Sequence, residues 1–399
     1  MAPRIGKIRS IFLAAILTVS VAVPLNIASA DTKAQSSAAT IVADLGAGWN
    51  LGNALEANSN GYPSETAWGN PTVTQALIDK VKAAGFKSIR IPVSYLRHIG
   101  PGPNYTINSA WLNRIQQVVD YAYNRGMHVM INMHGDGYKS IPYAWLICDA
   151  SNQTAIKAKY QNVWQQIAWR FQNYDHRLIL ESMNENFDGQ YGRPTQPCYS
   201  NINAYNQIFV DTVRRSGGKN SSRWLLVPGW NTNIDYTAGN YGFVVPTDQY
   251  RDPTIPSTER RIMISVHYYA PWDFAGEENG TITQWGRAST DPRRKSTWGQ
   301  EDYLNSQLKL MYDKFVVRGY PVVVGEFGSI DKTSFDWSNN RYRADFGYAV
   351  AATAKRYGAA TFYWDNGVNG RYGFALFNRS SNSVTQQEII NDIRYGAGW

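Results

Sequence analysis

Two glutamates stand where apolar segments end. Glu185 follows Asn184 at the close of the run Leu178 to Met183, and Glu326 lies in the stretch Val322 to Gly328, where three valines open into Gly325. Burying a carboxylate at such a place costs several kcal/mol unless partners compensate. Two carboxyl groups facing each other across a sugar-sized cleft are what cleavage of a glycosidic bond needs. One is held protonated to aid the leaving oxygen, and the other is ionised to attack the anomeric carbon. Arg90 and Tyr269, a cation and a phenol, suit the second role by keeping Glu326 ionised. A more desolvated Glu185 would then have its pKa raised and serve as acid, then as base. Each residue also has a plainer reading: Glu185 as a helix-start or loop acid, Glu326 and Arg90 as ion-pair members, His134 and His267 as core histidines.

The elements that would position these groups form a repeating pattern. Val73, Ala76, Leu77, Val81 and Ala84 recur at helical spacing after Asn70-Pro71, and they lead into the strand-like run Ser88 to Val93. Trp111 to Ala122 precedes the run His128 to Met133, Tyr160 to Phe171 precedes Leu178 to Met183, and Ile202 to Ser216 precedes Trp224 to Val227. Met263 to Val266, a helix near Tyr303 to Val317, Val322 to Val324, a helix near Tyr342 to Tyr357, and Ala360 to Tyr363 complete the series. With Gly46 to Asn50 as the first, there are eight strands. Near-continuous apolar strands separated by helices predict a parallel sheet covered on its outer face, and eight such units predict a single (β/α)8 barrel with extended loops on one face. A doubly wound open sheet is the alternative, but Gly46-Ala47-Gly48 and Gly135-Asp136-Gly137 lack the third glycine and the helix of a dinucleotide fingerprint.

In such a barrel the reactive groups come from the C-terminal strand ends. Those ends carry Trp49 and Asn50, Arg90, His134, Asn184 and Glu185, Trp230, His267 and Tyr269, Glu326, and Trp364. Trp68, Trp145, Trp230, Trp272 and Trp364 fall in loops or strand ends on that face, where flat rings can stack on successive sugars.

Composition narrows the class further. Hydrophobic residues make up 43% of the 399, against 18% charged, which excludes global disorder, and the 14 Trp and 26 Tyr are many. Arg4, Lys7 and Arg9, the apolar run Ile11 to Val23, and Ala28-Ser29-Ala30 form the three parts of a secretory leader over residues 1–30. Residues 31–40 read as a short polar tether and residues 41–399 as one catalytic unit, secreted and extracellular, with no membrane contact after cleavage. Without the leader's three cations the net charge is small and scattered, which argues against nucleic acid. In an oxidising compartment Cys148 and Cys198 pair; free thiols are the alternative. There is no Gly-x-Ser-x-Gly and no His-Glu-x-x-His, so an esterase or a metallohydrolase has little support.

Six motifs together resemble the family 5 glycoside hydrolases, and more closely their endo-β-1,4-glucanases: Gly48 to Asn53, Thr66 to Pro71, Ile89 to Val93, Met183 to Glu185, Val266 to Tyr269 and Gly325 to Gly328. The resemblance implies a retaining double displacement with Glu185 as acid/base, Glu326 as nucleophile and Asn184 at the sugar 2-hydroxyl. It also implies that Arg90, His134, His267, Tyr269 and Trp364 surround the reacting sugar, with no metal or organic cofactor. The implied substrate is a cellulose-type or mixed-linkage β-glucan cut internally by a monomer; xyloglucan and mannan are alternatives. A non-catalytic polysaccharide-binding barrel is the reading from another class. Two departures stand out: most relatives have Pro where Asn186 follows Glu185, and many have a second His where Gly135 follows His134.

Overall fold

The computed structural model describes residues 37–398, so the expected leader, residues 31–36 of the tether and Trp399 lie outside the described residues. The eight strands are β1 (Ala47–Leu51), β2 (Ser88–Ile91), β3 (His128–Ile131), β4 (Leu178–Glu181), β5 (Leu225–Pro228), β6 (Ile262–Tyr268), β7 (Val322–Phe327) and β8 (Ala359–Asp365). Every neighbouring pair is parallel, and β1 bonds to both β2 and β8, which closes the sheet and excludes the open alternative.

The helices follow the expected alternation with shifted ends. They are α1 (Ala38–Leu45), α2 (Gln75–Ala83), α3 (Ser109–Tyr123), α4 (Gln153–Arg170), α5 (Cys198–Arg215), α6 (Ile234–Ala238), α7 (Trp272–Ala275), α8 (Glu301–Lys314), α9 (Asn339–Arg356) and α10 (Gln387–Ala397). Capping explains two of the entries. The side chain of Thr74, not Asn70-Pro71, starts α2 by accepting from Leu77 N, and Asn108 starts α3 by accepting from Trp111 N. Asn70 instead ties two loops together, donating to the carbonyls of Asn53 and Asn366 at 2.9 Å each.

The tether expected over 31–40 is corrected at its end, because residues 38–40 are the first turn of α1, capped by Ser37. Ile41 and Leu45 from this helix close the N-terminal end of the barrel. They pack onto Met130, Ile179, Trp224, Leu226, Met263, Val323 and Phe362, which point inward. Outward-facing strand residues such as Val129, Leu180 and Val324 join the separate core beneath the helices.

Two local features shape the opposite, C-terminal end. Across β6 and β7 the register runs Val266 with Val324 and then His267 with Glu326, so Gly325 is an extra residue, a bulge in β7. Strict alternation would aim Glu326 outward after inward Val323; the bulge turns it inward. A Cβ at Gly325 would lie 3.2 Å from His267 Nε2, which explains why glycine is tolerated there better than a larger residue. The second feature is the Cys148–Cys198 disulfide, with Cα atoms 4.6 Å apart, which ties the loop after β3 to the start of α5. Closing a loop of this length stabilises by about 4 kcal/mol in the chain-entropy picture.

Candidate active site

Arg90, fully buried on β2, is the hub of a polar layer above the apolar plug. Its Nε donates to Glu181 at 2.7 Å, and one terminal nitrogen donates to Glu326 at 2.7 Å and to Asn50 at 3.0 Å. The other donates to Asn184 Oδ1 at 2.8 Å. Ser265 completes the layer by donating to Glu181 at 2.8 Å. Asn50 turns its amide back to the Gly325 carbonyl at 2.9 Å, which fixes the bulge. Glu181 was missed in the sequence, yet its signal was there: two residues beyond inward-facing Ile179, it shares that phase.

Glu326 is 5% exposed and also accepts from the Tyr269 hydroxyl at 3.1 Å. Glu185 accepts from His267 Nδ1 at 2.7 Å and from Tyr138 at 2.5 Å. His267 Nδ1 is also 3.5 Å from Glu326, while its Nε2 is buried against Gly325 with no partner among the described residues. That leaves Nδ1 as the nitrogen that carries the proton toward both carboxylates. One oxygen from each glutamate and a His267 ring nitrogen all lie within 4.8 Å of one another.

The charge distribution departs from the expectation that Glu185 would be raised and Glu326 kept low. Burial pushes Glu185 up, but the hydrogen bonds from His267 and Tyr138 outweigh it and hold the carboxyl below its ordinary range. Burial pushes Glu326 up too, and the nearby Glu185 charge adds to it, so Arg90 and His267 do not bring it down. The surroundings of the pair therefore favour the ionised form of Glu185 over that of Glu326. His267 lowers Glu185 most, by hydrogen bond and by charge, and Tyr138, a residue that no strand pattern pointed to, adds its own hydrogen bond.

The remaining expected residues divide. Asn184 donates to the Tyr138 hydroxyl at 2.9 Å and approaches His134 Nε2 at 3.2 Å. Burial holds His134 well below its ordinary pKa, and its ring stacks on Trp364 with centroids 6.0 Å apart. Glu185, Glu326, His134, His267, Tyr269 and Trp364 line one cavity of about 770 Å³, which runs on to Trp272 and Trp298. Trp298, 48% exposed, was not singled out in the sequence. Trp230 is corrected as a sugar platform: it is 3% exposed and packs edge-on against Phe187. The turn Trp230–Thr232, with Asn231 at φ 47°, takes the ring into the core. Trp68 is exposed but does not line the cavity; its indole donates to the Asn58 carbonyl. Trp145 is held by Asp136 and Lys159.

The family model described as Cellulase (glycosyl hydrolase family 5) matches residues 52–370. The chain is 68% identical over 369 residues to Endoglucanase A of Paenibacillus barcinonensis, covering 92% of each. Among solved structures, a family 5 xyloglucanase from Paenibacillus pabuli matches with a TM-score of 0.88 at 71% identity, over 90% of this chain and 99% of that one. A broad-specificity endoglucanase from Bacteroides salanitronis matches with a TM-score of 0.83 at 39% identity, over 91% and 95%. A closed (β/α)8 barrel with two opposed glutamates at its C-terminal face defines a glycoside hydrolase. More narrowly, this chain belongs to glycosyl hydrolase family 5.

Proposed function

We propose that the chain is an endo-β-1,4-glucanase that works with retention of configuration, Glu326 attacking the anomeric carbon and Glu185 giving and then taking the proton. The observation that carries this reading is that one oxygen of each carboxylate comes within 4.8 Å of the other. Inverting enzymes hold theirs about 6.5–9.5 Å apart to admit a water between them, and retaining enzymes about 5–5.5 Å. Arg90 and Tyr269 hold Glu326 against the sugar, and Asn184, fixed by Arg90, is placed for the neighbouring hydroxyl. Positive charge developing at the anomeric carbon is stabilised by ionised Glu326, while Glu185, protonated beforehand, gives its proton to the leaving oxygen as the bond breaks.

The open cleft with Trp272, Trp298 and Trp364 along it suits a chain bound internally. Xyloglucan is favoured over plain cellulose by one further observation. The cavity is also lined by Asn231, Asp235, Tyr303 and Gln307, which offer polar contacts for a branch on the backbone sugar. The likeness to the Paenibacillus pabuli xyloglucanase supports the same preference. The leader-like residues 1–30 and the Cys148–Cys198 bridge support export. No helix among the described residues is long and apolar enough to cross a membrane.

The test is release of reducing ends from carboxymethyl cellulose, mixed-linkage glucan, xyloglucan and mannan, with Glu326→Gln alongside. Cleavage of the glucans, fastest on xyloglucan, is expected, with turnover all but lost in the variant and binding kept. A variant that retains more than about a tenth of the rate, a loss of under ~1.4 kcal/mol in barrier terms, would overturn the nucleophile assignment.

A further inference from the structure

The two places where the chain departs from its family pattern, Gly135 and Asn186, bear on one short turn, Gly135–Gly137. At Gly135 there is no room for a side chain: a Cβ would lie 2.6 Å from Ser94 Oγ and 2.9 Å from Ile141 Cδ1. A histidine would have to displace both side chains, and the Gly135 N–H donates to Ser94 Oγ at 2.9 Å. Asp136, fully buried, accepts from the backbone N–H groups of Tyr95 and Leu96 at 2.9 and 2.7 Å and from the Trp145 indole at 2.7 Å. At Gly137 a Cβ would lie 2.6 Å from Asn186 Nδ2. Asn186 uses the space that glycine leaves and donates to the Leu146 carbonyl at 2.7 Å. Gly137 thus makes room for Asn186, while Gly135 is fixed by Ser94, so both ends of the short turn Gly135–Gly137 are held.

The product of that lock is the next residue. Tyr138 leaves the turn with its hydroxyl donating to Glu185 Oε2 and accepting from Asn184. We propose that Tyr138 is a positioning residue for the acid/base carboxylate, delivered to Glu185 by a loop that Gly135, Gly137 and Asn186 hold in place. The inference rests on the reading of Glu185 as acid/base. A hydroxyl that donates to the carboxylate favours its ionised form and fixes its rotamer, so it serves the step in which Glu185 acts as base toward water. Glu185 also faces His267 from β6, Glu326 from β7 and Arg90 from β2, with the Tyr269 phenol beyond them. Tyr138 is the contact that comes from the β3 side.

The test titrates Glu185 directly, by carbon NMR of labelled glutamate carboxyls in a Glu326→Gln background, where the second carboxylate of the pair is gone. Tyr138→Phe removes only the hydroxyl, and the Glu185 midpoint is expected to move to higher pH. Asn186→Ala keeps the phenol but frees its loop. It is expected to move the midpoint the same way by less, and to add nothing once Tyr138 is Phe. An unmoved midpoint in Tyr138→Phe overturns the proposal, and shifts that simply add overturn the coupling through the loop. In parallel, Glu185→Gln is assayed for turnover. Full activity there would remove the acid/base reading, whereas its loss with an unmoved Tyr138→Phe midpoint would remove only the inference.

Discussion

The interior of this barrel is apolar at one end and ionic at the other, and the same strands build both. On β4 the inward positions pass from Ile179 to Glu181, on β6 from Met263 to Ser265 to His267, and on β7 from Val323 to Gly325 and Glu326. Within about two residues of strand, roughly 7 Å, a dry plug becomes a network of buried charge. The plug needs no partner beyond close packing, and α1 supplies its lid. In the polar layer, removing one member leaves another buried charge unpaired, at about 3–5 kcal/mol. Stability is therefore concentrated where there is no chemistry, and the chemistry sits where stability is most easily lost.

That separation can be broken from either end. The largest effect belongs to Glu185→Gln, which should slow cleavage of aryl glycosides with weakly acidic phenols by about 10²–10⁴-fold and spare those with very acidic ones. Equal losses across a leaving-group series would contradict the acid role and blur the division. Next is Ile41→Ala in the lid, which should cost about 2–5 kcal/mol in a denaturant titration and leave turnover of the folded enzyme unchanged. A fall in turnover at constant folded fraction would show that the plug also tunes the site.

The smallest effect is a pH dependence at the apolar end. His128 opens β3 there, and its pKa is pushed down to about 4, first by burial and then by His176 and Arg177. Between pH 6.5 and about 4 the unfolded chain takes up a proton that the native state refuses, so stability falls as pH drops through that window. The contribution is of order 1.4 kcal/mol per pH unit. Melting temperatures of the parent and His128→Phe across the window should diverge, the variant being the flatter. Parallel curves would place the acid sensitivity elsewhere.

The strands and both glutamates were legible because apolar runs at regular spacing are a direct imprint of a sheet buried on both faces, and because carboxylates are conspicuous at their ends. Exposure was less legible. Trp230 and Trp364 both sit at strand ends, yet a tight turn at Asn231 buries the first while the second lines the cleft, and spacing alone does not carry that difference. The lid helix was hidden by the small residues around it, since Ile41 and Leu45 are too few to announce an amphipathic face. Helix α10 was overlooked although Ile389, Ile390 and Ile393 mark its buried side. The lowering of Glu185 was out of reach of sequence, because His267 and Tyr138 reach it from 82 and 47 residues away along the chain.

The bulge at Gly325 has a consequence for anyone who would move this site. Glu326 reaches the cleft because β7 carries one residue more than its neighbours. Straightening the strand with Gly325 kept as an ordinary ladder residue would leave the glutamate in the chain, chemically intact, and facing the helices. A graft onto another barrel that copied Val322 to Phe327 residue for residue into a regular ladder would fail for the same reason. What has to be inherited is a parity, an odd residue count with a glycine to absorb it, as well as a list of side chains.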